Sequence, residues 1–485
     1  MVNVTYDTSG DLTWSNGLES DVFNLGDIAW TLVSAVLAWI TIPGFGFFFS
    51  GLLQRKNALS MLYLSMMTSM VVSLQWYLLG YSLAFSDSTN PFMGDLKYFA
   101  LRNVLEQPSV GSARIPAIVF CVFQLMFATF TPMIATGALA ERGRLGPTIV
   151  FVFIWSTLVY DPIVRWTWNP NGWAYVFGNL DFAGGTPVHI TAGSAALAIS
   201  FYIGRRRGYG TMRLAYRPHN VTYIVLGTVF IWFGSFGING GSALSANLRA
   251  AEACVVTYIA ASVGGLTWLL VDWRLEHKWS VVGLCSGVLC GLVAISPASG
   301  FVSPSISIIF GFVGSFVCNY ATMLKFLIGC DDTLDIFATH AVAAFAGNML
   351  TALFAQSSIA STDGTTSIAG GWLDHNYRQL GIQLAVSVAA FVYCYVITTL
   401  ILWVMHFIPV LRLRCSEEAE LLGIDDAEMG ETIIYQNDAT VDHDIDRDAR
   451  IMQERNEELE TYWLVPEFGT VTLGPVQYFM KEKQR

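Results

Sequence analysis

The sequence predicts an all-α integral membrane protein, and two observations lead to that fold class: charged residues are scarce, and long apolar runs recur. The chain has 485 residues, of which 54% are hydrophobic and only 13% are charged, and its mean hydropathy is +0.50. Soluble globular domains carry about 25% charged residues. A chain with half that charge must cover most of its surface with membrane lipid rather than with water.

Eleven stretches of the sequence are apolar and approach the roughly 20 residues that a helix needs to cross the hydrocarbon core. They are residues 28–53, 61–85, 116–140, 146–168, 185–204, 220–242, 252–272, 279–296, 301–323, 334–355 and 380–405. The eighth stretch is short, and the fifth and tenth are rich in small residues. An odd number favours two five-helix repeats, inverted relative to each other, followed by one C-terminal helix.

The distribution of lysine and arginine predicts the orientation, because these residues concentrate on the cytoplasmic side of membrane proteins. If the N-terminus lies outside, the inner loops hold fourteen of them, and the outer side holds six: Lys97, Arg102, Arg114, Arg165, Arg249 and Arg378. The sequence therefore predicts an N-terminus outside and a C-terminus inside. Asn3, in the triplet Asn3-Val4-Thr5, is then placed where glycosylation occurs.

Acidic residues are concentrated in the C-terminal tail. Residues 416–485 hold 18 of the 37 acidic residues but only 6 of the 26 basic ones, so the net charge of −11 does not indicate a nucleic-acid partner. The predicted segments are an extracellular segment 1–27, a first repeat 28–204, a cytoplasmic linker 205–219, a second repeat 220–355, an extracellular loop 356–379, the eleventh helix 380–411 and an acidic cytoplasmic tail 412–485.

Of the seven histidines, only His189 and His340 lie within apolar stretches away from their ends. Each follows an aspartate at the start of its span: Asp181 lies eight residues before His189, and Asp335 lies five residues before His340. This recurrence predicts that the two histidines meet near the axis that relates the repeats. Alternatively, each histidine is a neutral imidazole that bridges two helices. Ionisable residues inside a bilayer usually line a pathway.

Two imidazoles in contact can present a line of alternating hydrogen-bond donors and acceptors. A narrow apolar channel refuses a bare cation, because removing water from a charge is costly, but it admits a small neutral molecule that hydrogen-bonds to imidazole. A proton could travel separately along the pair. Two histidines without cysteine or carboxylate neighbours are too few ligands for a closed metal site, so no metal is expected.

Several separated motifs follow one another between about residues 25 and 435. They are GLLQRKNALSMLYLSMM after the first span, GALAERGRL after the third, DFAGGTPVHITAGSAALAISFYIGRR from Asp181 to Arg206, NGGSA at 239–243, VGLCSG at 282–287 and DDTLDIFATHAVAAFAG at 331–347. In their order and their residues, these motifs resemble those of the Amt/Mep/Rh family of ammonium transporters. The likeness is closest to the fungal Mep-type (methyl)ammonium permeases that keep both pore histidines.

The resemblance implies a homotrimer in the plasma membrane of a fungal cell, with a central pore in each subunit and no cofactor. By motif position, His189 and His340 are the pore histidine pair and Asp181 supports the pore. Trp168, Ser242 and Phe127 would form the outer site that recruits ammonium or methylammonium. Two alternatives stay open: Trp168 as an aromatic residue of the membrane interface, and Asp181 as a helix N-cap.

Two departures from the family pattern concern the pore. The gate pairs Phe127 with Ile238, where the family usually has a second phenylalanine, and Ser235 stands where an aromatic residue is common. An aliphatic side chain has no ring quadrupole, so we expect weaker holding of a cation at the gate. After His340, alanines replace the glycines of the family, at positions Ala341, Ala343 and Ala344.

The tail segment GIDDAEMGE at 423–431 resembles a family motif that folds under the trimer and affects opening. This likeness assigns a regulatory role to Gly423, Asp425, Gly430 and Glu431, and it makes a cytoplasmic regulator acting on the tail a candidate partner.

The predicted function is uptake of ammonium, with deprotonation at an outer site and passage of ammonia past the twin histidines. The alternative is an ammonium sensor, or transceptor, with low or no flux. A Rhesus-type gas channel is a further variant, but Trp168 and the resemblance of the motifs to those of fungal permeases disfavour it. No enzyme activity is expected, because no Ser–His–Asp set, phosphate loop or HExxH motif is visible.

Overall fold

Long apolar helices make up most of the protein. A computed structural model of the chain describes residues 3–6, 11–15, 20–209 and 217–431. Within these residues, ten helices are long and apolar enough to cross a membrane, and one further apolar helix, Val281–Ile295, is shorter. In chain order, with the shorter helix as α8, they are α1 Leu25–Leu52, α2 Arg55–Phe85, α3 Ala117–Leu139, α4 Leu145–Phe177, α5 Gly185–Ile203, α6 Val221–Gly241, α7 Leu248–Glu276, α8 Val281–Ile295, α9 Pro304–Leu327, α10 Phe337–Phe354 and α11 Arg378–His406.

Each predicted span coincides with one of these helices, and ten of the eleven have the length that a crossing needs. The eighth, α8, has 15 residues and stays a proposed span. The largest boundary difference lies at α4, which is predicted to end at 168: a second short helix, Trp173–Phe177, follows a break after Trp168 and extends the apolar segment to Phe177. Helix α7 begins at Leu248 rather than 252, because the Asn247 side chain accepts a hydrogen bond from the amide of Ala250 (2.9 Å) and caps the helix.

Many exposed side chains on the outer surface of the helices are apolar, unlike those on a surface that faces water. On α11, exposed apolar side chains recur every four residues, at Leu384, Val388, Val392, Val396 and Leu400. Residues four apart lie on one face of a helix, so α11 presents a continuous apolar stripe away from the core. This stripe fits a helix that faces lipid tails.

A small antiparallel sheet precedes α1, which the sequence did not predict. Its strands are β1 Asn3–Tyr6, β2 Asp11–Ser15 and β3 Ser20–Asn24, in the order β1-β2-β3. Asn3 lies in the edge strand, opposite Ser15. The last residue of the sheet, Asn24, caps α1 by accepting a hydrogen bond from the amide of Asp27 (3.0 Å).

Helices α5 and α10 begin in the same unusual way. Each starts with a π-helical turn, Gly185–Ile190 in α5 and Phe337–Val342 in α10, and each turn contains one of the two histidines. Short π-helical segments are rare and frequently mark functional sites. The fifth and tenth helices therefore share the geometry of their starts, while the two-repeat organisation stays a prediction.

Glycines allow α7 and α8 to approach backbone to backbone. A Cβ added at Gly264 would lie 2.4 Å from the carbonyl oxygen of Gly287, and one added at Gly287 would lie 2.4 Å from that of Gly264. Small residues at helix interfaces permit such approaches inside membranes. The short helix α8 therefore packs closely against α7 at these glycines.

Gly287→Ala should therefore destabilise the protein by about 1–3 kcal/mol, because the added methyl group forces the two helices apart. The measurement is the thermal unfolding midpoint of the detergent-solubilised protein. Gly381→Ala in α11 is the matched control, since a Cβ there meets nothing within 4 Å. An unchanged midpoint for Gly287→Ala would show that the α7–α8 contact tolerates expansion.

Candidate functional site: a buried histidine pair and an aromatic row

The two histidines predicted from the sequence are in direct contact. The Nδ1 atoms of His189 and His340 lie 3.2 Å apart, and their rings are nearly parallel, with centroids 5.3 Å apart. His340 is fully buried and His189 is 7% exposed. The π-helical starts of α5 and α10 thus bring together two residues that are 151 positions apart in the chain.

One Nδ1 of the pair must donate and the other accept, so the two Nε2 atoms have opposite characters: one is a lone pair and the other carries a proton. Nε2 of His340 is buried and has no hydrogen-bond partner among the described residues. An exchange of tautomers would move the donor from one end of the pair to the other. The ring of Phe45 lies 5.6 Å from that of His340, so the imidazole faces an apolar surface.

No group of three or more His, Cys, Asp or Glu side chains is arranged to hold a metal ion within the described part of the chain.

Asp181 caps the start of α5. Its Oδ1 accepts hydrogen bonds from the amides of Gly184 and Gly185 (both 2.8 Å), and its Oδ2 accepts one from the amide of Thr186 (2.5 Å). Burial raises the pKa of this carboxyl group, while the amide hydrogen bonds oppose the rise. The side chain of Asp181 therefore caps the first amides of α5, although the residue at the N-cap position itself is Gly184.

The counterpart of Asp181 in the second half is Asp332, and the predicted correspondence with Asp335 is wrong. The carboxylate of Asp332 accepts a hydrogen bond from the amide of Phe337 (2.8 Å) at the start of α10. Asp335 instead pairs with Lys325 (2.7 Å). Asp332 precedes His340 by eight residues, the same interval that separates Asp181 from His189. Equal spacing was the signal in the sequence that could have identified it.

Phe127 and Trp168, two of the predicted recruitment residues, lie together. Their ring centroids are 5.2 Å apart in an edge-to-face arrangement. The indole Nε1 of Trp168 donates to the carbonyl of Asp181 (2.9 Å), and this bond fixes the ring relative to the start of α5. An interfacial position for Trp168 does not by itself require either contact.

The aromatic row on α3 is longer than the sequence interpretation proposed. Phe123 and Phe130 flank Phe127, with ring centroids at 5.2 and 5.6 Å, and all three are nearly fully buried. Their spacing of four and three residues places them on one helical face. That periodicity was present in the sequence, but it is equally typical of ordinary core packing.

Ser242 and Ile238 lie at the end of α6. The Ser242 hydroxyl donates to the carbonyl of Ile238 (2.8 Å), and Ile238 is buried. The preceding Gly241 approaches the aromatic row, since a Cβ there would lie 2.6 Å from the ring of Phe123. The end of α6 therefore packs beside the row that contains Phe127.

The alanines after His340 lie in tight contacts. Ala343 and Ala344 are fully buried, and a Cβ added at Gly193 would lie 2.5 Å from the amide nitrogen of Ala341. Helices α5 and α10 thus approach closely just beyond the histidine pair, and the glycine at position 193 allows it.

Three of the motifs meet in one ion-pair network at the end of the helices where the tail begins. Arg206 contacts Glu141 (2.6 Å) and Asp331 (2.9 Å), and Arg142 contacts Asp331 (3.5 Å). Burial alone would raise the pKa of Asp331, but the hydrogen bonds and charge of Arg206, with the charge of Arg142, lower it. The network joins the ends of the two predicted repeats.

The start of the tail docks on helix termini. The carboxylate of Asp425 accepts hydrogen bonds from the amides of Leu59 and Ser60 (both 2.8 Å). Gly423 has φ +111°, and a Cβ there would lie 2.5 Å from the carbonyl oxygen of Lys56, so this approach requires glycine.

The remaining tail residues assigned from the sequence make different contributions. Gly430 has φ +66° and open space around it, while Glu431 is exposed. Beside them, Glu428 accepts a hydrogen bond from the amide of Leu145 (3.3 Å), a contact that no sequence pattern indicates. The tail beyond residue 431 lies outside the described residues.

Comparisons with known proteins identify the family. The sequence model of the Ammonium Transporter Family matches residues 29–434. The chain is 52% identical over 419 residues to "Ammonium transporter 1" of Schizosaccharomyces pombe, covering 86% of this chain and 84% of that protein. It is 43% identical over 449 residues to "Ammonium transporter MEP2" of Saccharomyces cerevisiae, covering 90% of each. The crystal structure of Candida albicans Mep2 is similar with a TM-score of 0.79 and 46% identity, covering 84% of this chain and 90% of that one. The chain therefore belongs to the ammonium transporter family.

Proposed function

We propose that this protein takes up ammonium and methylammonium across the plasma membrane. The cation is held and deprotonated at an outer site, ammonia then passes along an apolar pore past His189 and His340, and the proton travels separately. The observation that carries this proposal is the direct contact of two imidazoles inside the helices. It supplies hydrogen-bonding groups to a neutral molecule where a charged one would lose its hydration without compensation.

The aromatic pair of Phe127 and Trp168 supports the recruitment step. The faces of such rings attract a cation by about 0.5–2 kcal/mol. Ser242, at the end of the helix beside this row, would add a hydrogen-bonding oxygen. Ile238 provides no ring, so holding at the gate depends on Phe127 and Trp168.

The proposed topology has eleven spans, with α8 as the short eighth, an N-terminus outside and a C-terminus inside. Two five-helix repeats enclose one pore, and three such subunits form a homotrimer. The identical interval of eight residues between each capping aspartate and its histidine supports the repeat. In this orientation, Asn3 lies outside as a glycosylation site.

A second candidate function, an ammonium sensor with little flux, rests on Ile238 and on the packing of Ala343 and Ala344. Ile238 offers no ring face to a cation, and the buried methyl groups of Ala343 and Ala344 occupy space beside the histidine pair that glycines would leave open. Ammonium-dependent signalling that survives a demonstrated block of transport would support this candidate, and loss of both together would count against it.

His189→Ala and His340→Ala should each reduce the saturable ammonium-evoked current of reconstituted protein by about tenfold or more. Each change leaves the remaining Nδ1 unpaired in an apolar passage, at a cost of about 1–3 kcal/mol. His406→Ala, at the exposed end of α11, serves as the control. Wild-type protein that is folded but carries neither current nor methylammonium uptake would contradict the transport proposal.

Asp181→Ala should lower stability more than Asp181→Asn, because asparagine keeps one carbonyl oxygen for the amides of Gly184 and Gly185. A lost helix cap costs about 0.5–2 kcal/mol. Thermal unfolding midpoints of the two variants provide the measurement, with Asp332→Asn as the matching change in the second repeat. If Asp181→Asn instead abolished ammonium affinity at an unchanged midpoint, the charge itself would act on the cation.

The docked tail should affect transport. Asp425→Ala leaves the amides of Leu59 and Ser60 without their acceptor, so we expect the tail to detach and the maximal flux to change by about twofold or more, given a hydrogen-bond cost of about 1 kcal/mol. Methylammonium uptake normalised to protein in the membrane is the measurement. Glu418→Ala, an exposed carboxylate of the same segment, is the control. Equal uptake by both variants would exclude a regulatory role for this contact.

A further inference from the structure

Arg249 lies at a helix end where a positive charge is unfavourable. It is the second residue of α7, and a positive charge near a helix N-terminus opposes the helix dipole. The side chain is also buried, with 8% of its surface exposed. A buried cation at this end of a helix needs compensation from elsewhere in the molecule.

The compensation comes from a charged, a polar and two aromatic partners. Nη1 of Arg249 contacts the carboxylate of Asp363 (3.0 Å), and Nε donates to the carbonyl of Gly300 (2.9 Å). The guanidinium carbon lies 4.7 Å from the ring centre of Phe182 and 5.0 Å from that of Phe301. We refer to Arg249, Asp363, Phe182 and Phe301 as the Arg249 clamp.

The Arg249 clamp holds the segment that leads to the recruitment residue. Phe182 follows Asp181 directly, and its amide donates to the carbonyl of Pro297 (3.0 Å). The carbonyl of Asp181 in turn accepts the indole Nε1 of Trp168 (2.9 Å). A displacement of Phe182 would therefore move the acceptor that fixes Trp168 beside Phe127.

The ion pair of the clamp withstands acid. Burial alone would raise the pKa of Asp363, but hydrogen bonds from the Thr366 hydroxyl and from the amides of Thr366 and Thr365, with the charge of Arg249, lower it to about 2. The ordinary value for aspartate is about 3.9. A lowered pKa means that the interaction is complete above the ordinary value and is lost only as the pH falls toward 2.

We propose that Arg249 and Asp363 are positioning residues of the ammonium recruitment site: the ion pair holds the ring of Phe182, and through Asp181 it fixes the orientation of Trp168. This inference rests on the proposed function of Trp168. Neither residue touches ammonium. The loop that contains Asp363 therefore sets the apparent affinity of the transporter from a distance.

Two substitutions separate positioning from simple electrostatics, because they change the charge in opposite directions. Asp363→Asn removes a negative charge, and Arg249→Gln removes a positive one. If the clamp positions Trp168, both should raise the KM for methylammonium by about three- to tenfold, the range that corresponds to a weakened cation–π contact. The maximal rate per protein in the membrane should stay unchanged, which a loss of folding would not allow.

Asp87→Asn is the matched control, since Asp87 forms an exposed ion pair with Lys97 and contacts no member of the clamp. It removes the same charge without touching the clamp, and its KM should remain that of the wild type.

Opposite shifts in KM for Asp363→Asn and Arg249→Gln would overturn the inference in favour of an electrostatic effect. Unchanged KM values, or a fall in maximal rate alone, would overturn it as well. The half-saturating methylammonium concentration for thermal stabilisation of the purified protein gives the same comparison without flux. A wild type that binds but carries no flux would thus count against the transport proposal alone, while raised half-saturation in both variants would still support the clamp.

Discussion

The contact between His189 and His340 depends on conditions that the rest of the protein has to maintain. The Nδ1 atoms of the two imidazoles lie 3.2 Å apart inside an apolar helix bundle, where an uncompensated charge is costly to bury. These surroundings favour the neutral pair, in which one Nδ1 donates and the other accepts. The π-helical starts of α5 and α10, and the carboxylates of Asp181 and Asp332 that accept amides there, hold the two rings in contact.

Several carboxylates in this structure cap the starts of helices. Asp181, Asp332 and Asp425 each accept backbone amides, which satisfies donors that a helix leaves unpaired. Glu428 does the same at the start of α4. The amides stabilise each carboxylate, and each cap attaches a loop or the tail to a specific helix.

The family assignment establishes the class of protein, while the proposed pore chemistry depends on the residues of this chain. In the proposed gate, Ile238 provides no ring, so holding of a cation would depend more heavily on Trp168 and Phe127. The orientation of Trp168 is fixed through the carbonyl of Asp181. The Arg249 clamp contacts Phe182 in the same segment, and it would thereby link the proposed recruitment site to a loop that contributes no ring or imidazole of its own.

Local chemistry in the sequence was sufficient for the membrane class, for ten helices of crossing length and for the identity of the two histidines, because hydropathy and the placement of ionisable residues in apolar runs are properties of neighbouring residues. The equal interval of eight residues also pointed to Asp332 rather than Asp335 as the cap of α10, and the folded backbone shows its carboxylate at the amide of Phe337. Contacts between residues far apart in the chain could not be predicted in this way. In the sequence, Arg249 is one of six basic residues on the predicted outer side. Only tertiary packing brings Asp363 and two aromatic rings around it. The contacts of Arg249 join residues 51 to 114 positions apart, an interval over which the chain has no local preference, so the packing of the helices determines them.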